Sequence, residues 1–196
     1  MNIRLLVSRG LLTAAVLATL FTEHAWSERG AVDTSLAAIG DVLLIAGCIG
    51  RIWCAVHIAG RKNADLVMEG PYSLTRNPLY LFTLVALVGA GLVFESLVVT
   101  ALFVAVFFAT HWPTILKEER FLADRFGETY AAYMARVPRF LPRLGSFARA
   151  GDVTISAPVF TRAMVEAALI PLVYLGAQAI EAAHEAHLLP SVLKLY

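Results

Sequence analysis

Apolar segments long enough to cross a bilayer are the feature that most restricts how this chain can fold. A helix crosses the hydrocarbon core with about 20 mostly apolar residues, and such segments lie at 5–22, 36–59, 79–95, 96–116 and 158–180. We therefore expect an all-α integral membrane protein with about five transmembrane helices, with residues 1–196 forming a single membrane domain. An interfacial helix is the alternative for 158–180, which carries Arg162 and Glu166.

The overall composition agrees with a membrane domain and argues against nucleic-acid binding. Hydrophobic residues make up 59% of the chain, charged residues 16%, and the net charge is only +1, so no basic excess attracts nucleic acid. Cys48 and Cys54 lack the spacing of a metal site or a disulfide framework. Arg4 and Arg9 precede an apolar segment as in a signal peptide, but no A-x-A cleavage pattern follows, so we expect a retained anchor.

The positions of Lys and Arg predict the orientation in the membrane, because cytoplasmic loops carry an excess of both. Arg29 is alone in the loop after the first predicted span, whereas Arg61, Lys62 and Arg76 lie between the second and third. Seven more follow the fourth span: Lys117, Arg120, Arg125, Arg136, Arg139, Arg143 and Arg149. We expect a multi-pass protein whose N-terminus and residues 60–78 and 117–157 face the cytoplasm.

The sequence GPYSLTRNPLY, residues 70–80, stands directly before the third apolar segment. Pro78 fits the first position of a helix, where its missing N–H costs nothing, and Asn77 then takes the N-cap position. The free N–H groups and positive dipole end of such a helix attract an anion. The alternative is an ordinary helix start, with Tyr72 and Tyr80 in an aromatic belt and Arg76 reaching lipid headgroups.

A second polar segment, residues 114–142, follows the apolar hairpin. Its apolar residues recur at intervals of three and four, which predicts an amphipathic helix on the cytosolic side, broken near Gly127; they are Leu122, Phe126, Tyr130, Tyr133 and Val137. Glu118 and Glu119 lie at the start of this segment, and pairing with Lys117 and Arg120 is the alternative to a role in binding. His111 shares a helical face with Glu118, or lies at headgroup level.

Two further features have plain structural explanations. Arg51 lies inside the second span, where we expect it to reach the interface or find a partner in the bundle. Near the C-terminus, His184 and His187 lie beside Glu181 and Glu185 at helical spacing. That spacing is compatible with a metal, but a polar helix end is the favoured interpretation, and no metal site is expected.

Residues 66–142 resemble the isoprenylcysteine carboxyl methyltransferase and phospholipid methyltransferase superfamily. The family pattern reads R-H-P-x-Y-x-G, followed by E-E-x-x-L, F-G-x-x-Y-x-x-Y and V-P, and this chain has RNPLYLF, EERFL, FGETYAAY and VP in that order. The resemblance implies a methyltransferase core at 66–142, preceded by a helix pair at 1–59 and followed by the helix at 158–180. It also implies transfer of a methyl group from S-adenosylmethionine to a lipid-embedded acceptor, either a prenylcysteine carboxylate or a phospholipid-like molecule.

The resemblance also implies which residues form the site. The expected catalytic residues are Arg76, Glu118, Glu119 and Arg136. The expected cofactor-binding residues are Tyr72, Arg76, Asn77, Pro78, Tyr80, Glu118, Glu119, Tyr130 and Tyr133. The expected partners are the membrane and a lipid or prenylated small molecule; the oligomeric state is left open.

Two positions depart from the family pattern. Asn77 replaces the histidine and Phe82 the last glycine, so any role that needs an imidazole proton is absent. These departures favour one alternative, a non-catalytic membrane protein on the same fold. The other alternative is a related membrane reductase with a nicotinamide cofactor, but such reductases have more helices than this chain can supply.

Overall fold

The structure, a computed structural model, describes residues 22–24, 31–61, 64–93, 96–185 and 193–195. Nearly all of the first predicted span, 5–22, lies outside these residues. The regular secondary structure of the described chain is helical apart from two three-residue strands, β1 (Thr22–His24) and β2 (Leu193–Leu195), which pair in parallel. The expectation of a helical fold is therefore confirmed for the described residues.

Five α-helices and one short 3₁₀ turn make up the described chain. They are α1 (Ala31–Ile58), α2 (Pro71–Leu74), α3 (Pro78–Val93), α4 (Leu97–Arg136), the 3₁₀ turn Leu144–Ser146 and α5 (Ala157–Glu185). Among the described residues, Thr34–Ile58 of α1 and the whole of α4 are long and apolar enough to cross a membrane by length and composition. The apolar helix α3 has only 16 residues. Five crossings, including one by α5, stay a prediction.

Both predicted helix boundaries in the family core are confirmed. Helix α3 begins at Pro78, and the N–H of Leu81 donates to the Asn77 carbonyl oxygen at 3.1 Å, which puts Asn77 at the N-cap. Helix α4 breaks at Gly127, whose φ of 50° and ψ of −124° are non-helical. Glycine has no Cβ and tolerates this conformation. The break separates the apolar part of α4 from a polar arm, residues 128–136.

The chain divides into two compact units. The first contains Met1–Ile45, Val85–Thr110 and Ile170–Tyr196. Its core brings together Leu44 of α1, Ala90 of α3 and Phe103 of α4, with Leu87 and Val99 packed against them. The end of α3 and the start of α4 therefore pack together as the predicted hairpin.

The second unit contains Ala46–Leu84 and His111–Leu169, and both polar motif segments belong to it. One of its clusters joins α1 to α2 through Cys54, Val67 and Tyr72. The other contains every residue of the predicted amphipathic face: Leu122, Phe126, Tyr130, Tyr133 and Val137. The three-and-four spacing thus identified the buried face of residues 122–137. The predicted division into a core and flanking helices is not tested and stays a prediction.

Candidate active site

A partly open cavity lies within the second unit, between the two motif segments. Eight of the nine predicted cofactor-binding residues line it: Tyr72, Arg76, Asn77, Pro78, Tyr80, Glu118, Tyr130 and Tyr133. The remaining wall is mostly apolar and consists of Ile58, Asp65, Leu66, Val67, Leu79, Phe121 and Leu122. Segments about 40 residues apart in sequence therefore form one site.

Glu119, the ninth predicted residue, does not line the cavity but lies buried behind its wall. Its Oε1 accepts a hydrogen bond from Asn77 Nδ2 at 2.9 Å, and its Oε2 accepts one from Arg139 Nε at 2.9 Å. Nε of Arg76 lies 3.2 Å from Oε1. Because the side chains of Glu119 and Arg76 are only 7% and 10% exposed, water screens this ion pair little.

Asn77 links this buried carboxylate to the segment after α4. Its Nδ2 also donates to the Arg139 carbonyl oxygen at 3.0 Å, and the hydroxyl of Thr75 donates to that same oxygen at 3.1 Å. The backbone N–H of Arg76 donates to the Pro138 carbonyl oxygen at 2.9 Å. An asparagine amide supplies two donors, and here one contacts Glu119 of α4 while the other holds the start of α3 against Arg139. Asn77, which replaces the family histidine, thus finds hydrogen-bond acceptors for its side-chain amide group.

Glu118 faces the cavity, unlike its neighbour Glu119. Its Oε2 accepts a hydrogen bond from the Tyr80 hydroxyl at 3.1 Å. The ring of Tyr80 in turn meets His111 edge-on, with 5.8 Å between ring centroids. His111 therefore contacts a residue of the cavity wall. This contact agrees with the first interpretation, in which His111 and Glu118 lie on the same face of the helix.

Three buried polar groups on cavity-lining residues make no hydrogen bond within the described part of the chain. They are the hydroxyls of Tyr72 and Tyr130 and Nε of Arg76, whose N–H is not directed at Glu119 despite the short distance. An unpaired buried polar group costs about 1–3 kcal/mol. The residues of the cavity wall therefore carry three donors that the described part of the chain leaves without an acceptor.

The hydroxyl groups in the wall remain protonated near neutral pH. Burial raises the pKa of Tyr72, and burial together with the nearby Glu119 carboxylate raises the pKa of Tyr130 to about 12. Tyr130 follows the Gly127 break and lies outside the apolar part of α4. The Tyr133 hydroxyl donates to the Tyr72 carbonyl oxygen at 2.6 Å, which fixes α2 against the α4 arm. These phenols therefore act as neutral donors.

Arg136, predicted as catalytic, does not line the cavity. It is exposed, and its Nε donates to the Ala132 carbonyl oxygen at 3.3 Å within its own helix. The arginine that joins the site is Arg139, whose guanidinium also lies 5.9 Å from the centre of the Trp112 ring. Sequence reasoning missed it because Arg139 stands outside the family motifs, 20 residues from Glu119, and only the folded chain brings the two together. Asp65 was missed too, since it stands outside both motifs; it pairs with Arg61 at 3.4 Å.

The other polar groups singled out in the sequence are accounted for in part. Arg51 donates to the Thr83 hydroxyl, so it has a partner within the second unit. Among the described residues, no three His, Cys, Asp or Glu side chains are close enough to hold a metal. His187 of the C-terminal pattern lies outside the described residues, and the absence of a metal site stays a prediction.

Comparison with known proteins identifies the class to which this fold and cavity belong. The family model of phospholipid methyltransferases matches residues 38–129, a range that contains α3, most of α4 and both acidic residues of the site. The chain belongs to the phospholipid methyltransferase family. This family is part of the superfamily that also contains the isoprenylcysteine carboxyl methyltransferases.

Three individual proteins are similar to this chain over different shares of its length. The cobalt-zinc-cadmium resistance protein CzcN of Cupriavidus metallidurans is 36% identical over 92% of this chain and 83% of its own length. The nickel-cobalt-cadmium resistance protein NccN of Alcaligenes xylosoxydans xylosoxydans is 31% identical over 94% and 86%. The protein-S-isoprenylcysteine O-methyltransferase of Schizosaccharomyces pombe is 31% identical over 43% of this chain and 37% of its own. No solved structure matches the chain significantly.

Proposed function

We propose that this protein is an integral membrane methyltransferase that transfers the methyl group of S-adenosylmethionine to a lipid-embedded acceptor. The observation that carries the proposal is the cavity, whose lining residues include Glu118 and three residues that each hold an unpaired buried donor. A ligand that bears both a carboxylate and a cation suits such a wall. S-adenosylmethionine carries a carboxylate, an ammonium and a sulfonium.

The roles of the residues follow from their charges and positions. Nε of Arg76 and the hydroxyls of Tyr72 and Tyr130 bind the cofactor carboxylate, because these three donors make no hydrogen bond within the described part of the chain. Glu118 binds the ammonium or the ribose. Glu119 supports Arg76 and Asn77 from behind the wall and makes no contact with the cofactor. Arg136 takes no part in this arrangement.

The cofactor supplies the methyl group, and the protein supplies position and a dry environment. Methyl transfer from sulfur is an in-line displacement whose positive charge disappears as the acceptor attacks. Holding the two reactants in line is worth about 7–11 kcal/mol in favourable cases. The apolar wall around Leu66, Leu79 and Phe121 excludes water and receives the lipid acceptor, which enters from the bilayer while the cofactor enters from the cytoplasm.

The acceptor is a prenylcysteine carboxylate or a phospholipid-like molecule. The names of two relatives refer to resistance against cobalt, zinc, cadmium and nickel, which suggests where such a product is useful. A methyl ester removes a carboxylate oxygen ligand for divalent cations, and a change of lipid charge alters the surface potential that attracts them. On this proposal the protein affects metal tolerance through its lipid product.

The test combines cofactor binding with product formation. Detergent-purified protein is titrated with S-adenosylhomocysteine and then incubated with radiolabelled S-adenosylmethionine, total membrane lipid and a prenylcysteine mimic. We expect saturable binding, label in an extractable lipid, and loss of both in Arg76→Ala and Glu118→Ala. The matched control is Glu128→Gln, which changes an exposed carboxylate on the α4 arm and should behave like the parent.

Each alternative has its own result in this experiment. Saturable binding without transfer favours the non-catalytic protein on the same fold. Binding of a nicotinamide cofactor in place of S-adenosylhomocysteine favours the reductase. If neither ligand binds, the cavity is not a cofactor site and the proposal fails.

A further inference from the structure

The segment after α4, residues 139–149, exposes large apolar side chains between arginines. Leu141 is 78% exposed, Leu144 77% and Phe147 55%. Arg143 and Arg149 are exposed as well, and the sequence RFLPRLGSFAR contains no acidic residue. Large apolar side chains exposed side by side mark an interaction surface. We call residues 139–149 the basic-apolar segment.

Hydrogen bonds to α2 hold the basic-apolar segment in place. The N–H of Arg143 donates to the Leu74 carbonyl oxygen at 2.9 Å, and the N–H of Gly70 donates to the Ala148 carbonyl oxygen at 2.8 Å. The Ser146 hydroxyl donates to the Ser73 carbonyl oxygen at 2.7 Å. Because the backbone is fixed in this way, the exposure of Leu141 and Leu144 is a property of the fold.

The contacts of the segment also set its depth. The ring centroids of Phe147 and Trp53 are 6.3 Å apart, and Trp53 lies five residues before the end of α1, about 7.5 Å along the helix axis. The N–H of Ser156 donates to the carbonyl oxygen of Ala59, just past the end of α1. Since α1 is long and apolar enough to cross the membrane, the segment lies at the level where this helix leaves the bilayer.

We infer that the basic-apolar segment binds anionic phospholipids, with Leu141, Leu144 and Phe147 inserted below headgroups whose phosphates contact Arg143 and Arg149. Arginine matches phosphate with a fork of N–H donors, and apolar side chains beside cationic ones are typical of surfaces that lie in the interface. This inference depends on the membrane location of the protein and goes beyond methyl transfer. Arg139 is not included among the lipid-binding arginines, because its guanidinium forms an ion pair with Glu119.

Site-specific quenching tests the inference. A fluorophore is attached at Leu144→Cys in a protein whose Cys48 and Cys54 are replaced by alanine, and the protein is reconstituted into vesicles. The quenchers are brominated phosphatidylglycerol or brominated phosphatidylcholine at equal mole fraction, and aqueous iodide. We expect quenching by lipid, stronger for the anionic lipid by about fivefold per arginine at low salt, and protection from iodide. A label at Leu141→Cys is the second position.

Two double variants that remove the same charge test whether Arg143 and Arg149 cause the preference for anionic lipid. Arg143→Gln with Arg149→Gln should remove the preference for phosphatidylglycerol. Arg120→Gln with Arg125→Gln removes the same charge from exposed positions on α4 and should keep it. Equal quenching by the two lipids in the parent, an unchanged preference in the Arg143/Arg149 variant, or strong iodide quenching at both labels would each overturn the inference. None of these results depends on cofactor binding, so they are independent of the proposed function.

Discussion

Glu118 and Glu119 are adjacent in sequence but have different surroundings. Glu118 lines the cavity and accepts a hydrogen bond from Tyr80. Glu119 lies behind the wall between Arg76 and Arg139, with Asn77 as a third contact. On a helix, neighbouring side chains diverge by about 100°, so one can meet a ligand while the other supports the wall. The E-E pair of the motif therefore supplies one carboxylate to the cavity wall and one to the buried ion-pair cluster.

Neutralising each glutamate should separate these functions. Glu119→Gln leaves two arginines without their carboxylate, and removing one partner of a buried ion pair costs about 3–5 kcal/mol. Glu118→Gln keeps an oxygen for Tyr80 and should change the free energy of unfolding by less than about 1 kcal/mol. It should, however, weaken S-adenosylhomocysteine binding about 10- to 100-fold, since a hydrogen bond to a charged group contributes about 1.5–3 kcal/mol.

Unfolding in detergent and ligand titration measure the two effects on the same samples. Glu118→Gln should lose affinity at near-parental stability, and Glu119→Gln should lose stability. If the two variants were equally destabilised, Glu118 would have to share the structural role that we assign to Glu119 alone.

At the level of single helices, the start of α2 depends on Gly70, the residue that precedes it. Gly70 has a φ of 58°, and a Cβ there would lie 2.2 Å from Nε2 of His57. The His57 ring cannot easily move, because its Nδ1 lies 2.9 Å from the Trp53 carbonyl oxygen; a carbonyl only accepts, so Nδ1 carries the proton. Gly70 therefore combines an unusual backbone conformation with a close approach of α1.

Three glycine-to-alanine substitutions should separate backbone strain from this close contact. Gly127→Ala meets no atom within 4 Å but has a φ of +50°, so its cost is backbone strain of about 1–3 kcal/mol. Gly70→Ala adds the collision with His57 and should cost more. Gly151→Ala, at an open position, should stay within about 0.5 kcal/mol of the parent. Equal losses at Gly70 and Gly127 in an unfolding titration would show that His57 moves aside freely.

The sequence was sufficient for the elements that local physics determines. Pro78 fixes the start of α3, glycine permits the break at 127, and the spacing of Leu122, Tyr130 and Tyr133 identifies the buried face of residues 122–137. The resemblance to the family motifs predicted that Arg76 and Glu118 belong to one site, and both line the cavity. Local patterns do not show that Arg139 contacts Glu119, 20 residues earlier, which is why Arg139 was missed. They also do not show which of two adjacent glutamates faces the ligand.

At the scale of the whole molecule, the distribution of charge predicts on which side of the membrane each segment lies. The basic-apolar segment, the α4 arm and the 60–78 segment all carry arginine, whereas Arg29 is alone between the first two predicted spans. Orientation follows this bias because positively charged loops remain in the cytoplasm. The proposed reaction uses a water-soluble cofactor and a lipid, and it therefore requires a site that opens to the cytosolic face of the bilayer.

Cysteine labelling from the two sides of the membrane tests this orientation. In a protein without Cys48 and Cys54, a membrane-impermeant maleimide should label Ser27→Cys in intact cells. It should label Asp152→Cys and Glu128→Cys only after the membrane is opened, because both follow the fourth predicted span in the arginine-rich segment. A maleimide that crosses membranes should label all three, which controls for burial of the thiol. Labelling of Asp152→Cys in intact cells would put the cavity on the outer face, out of reach of cytosolic S-adenosylmethionine, and the proposed activity would then be impossible however well the isolated protein bound the cofactor.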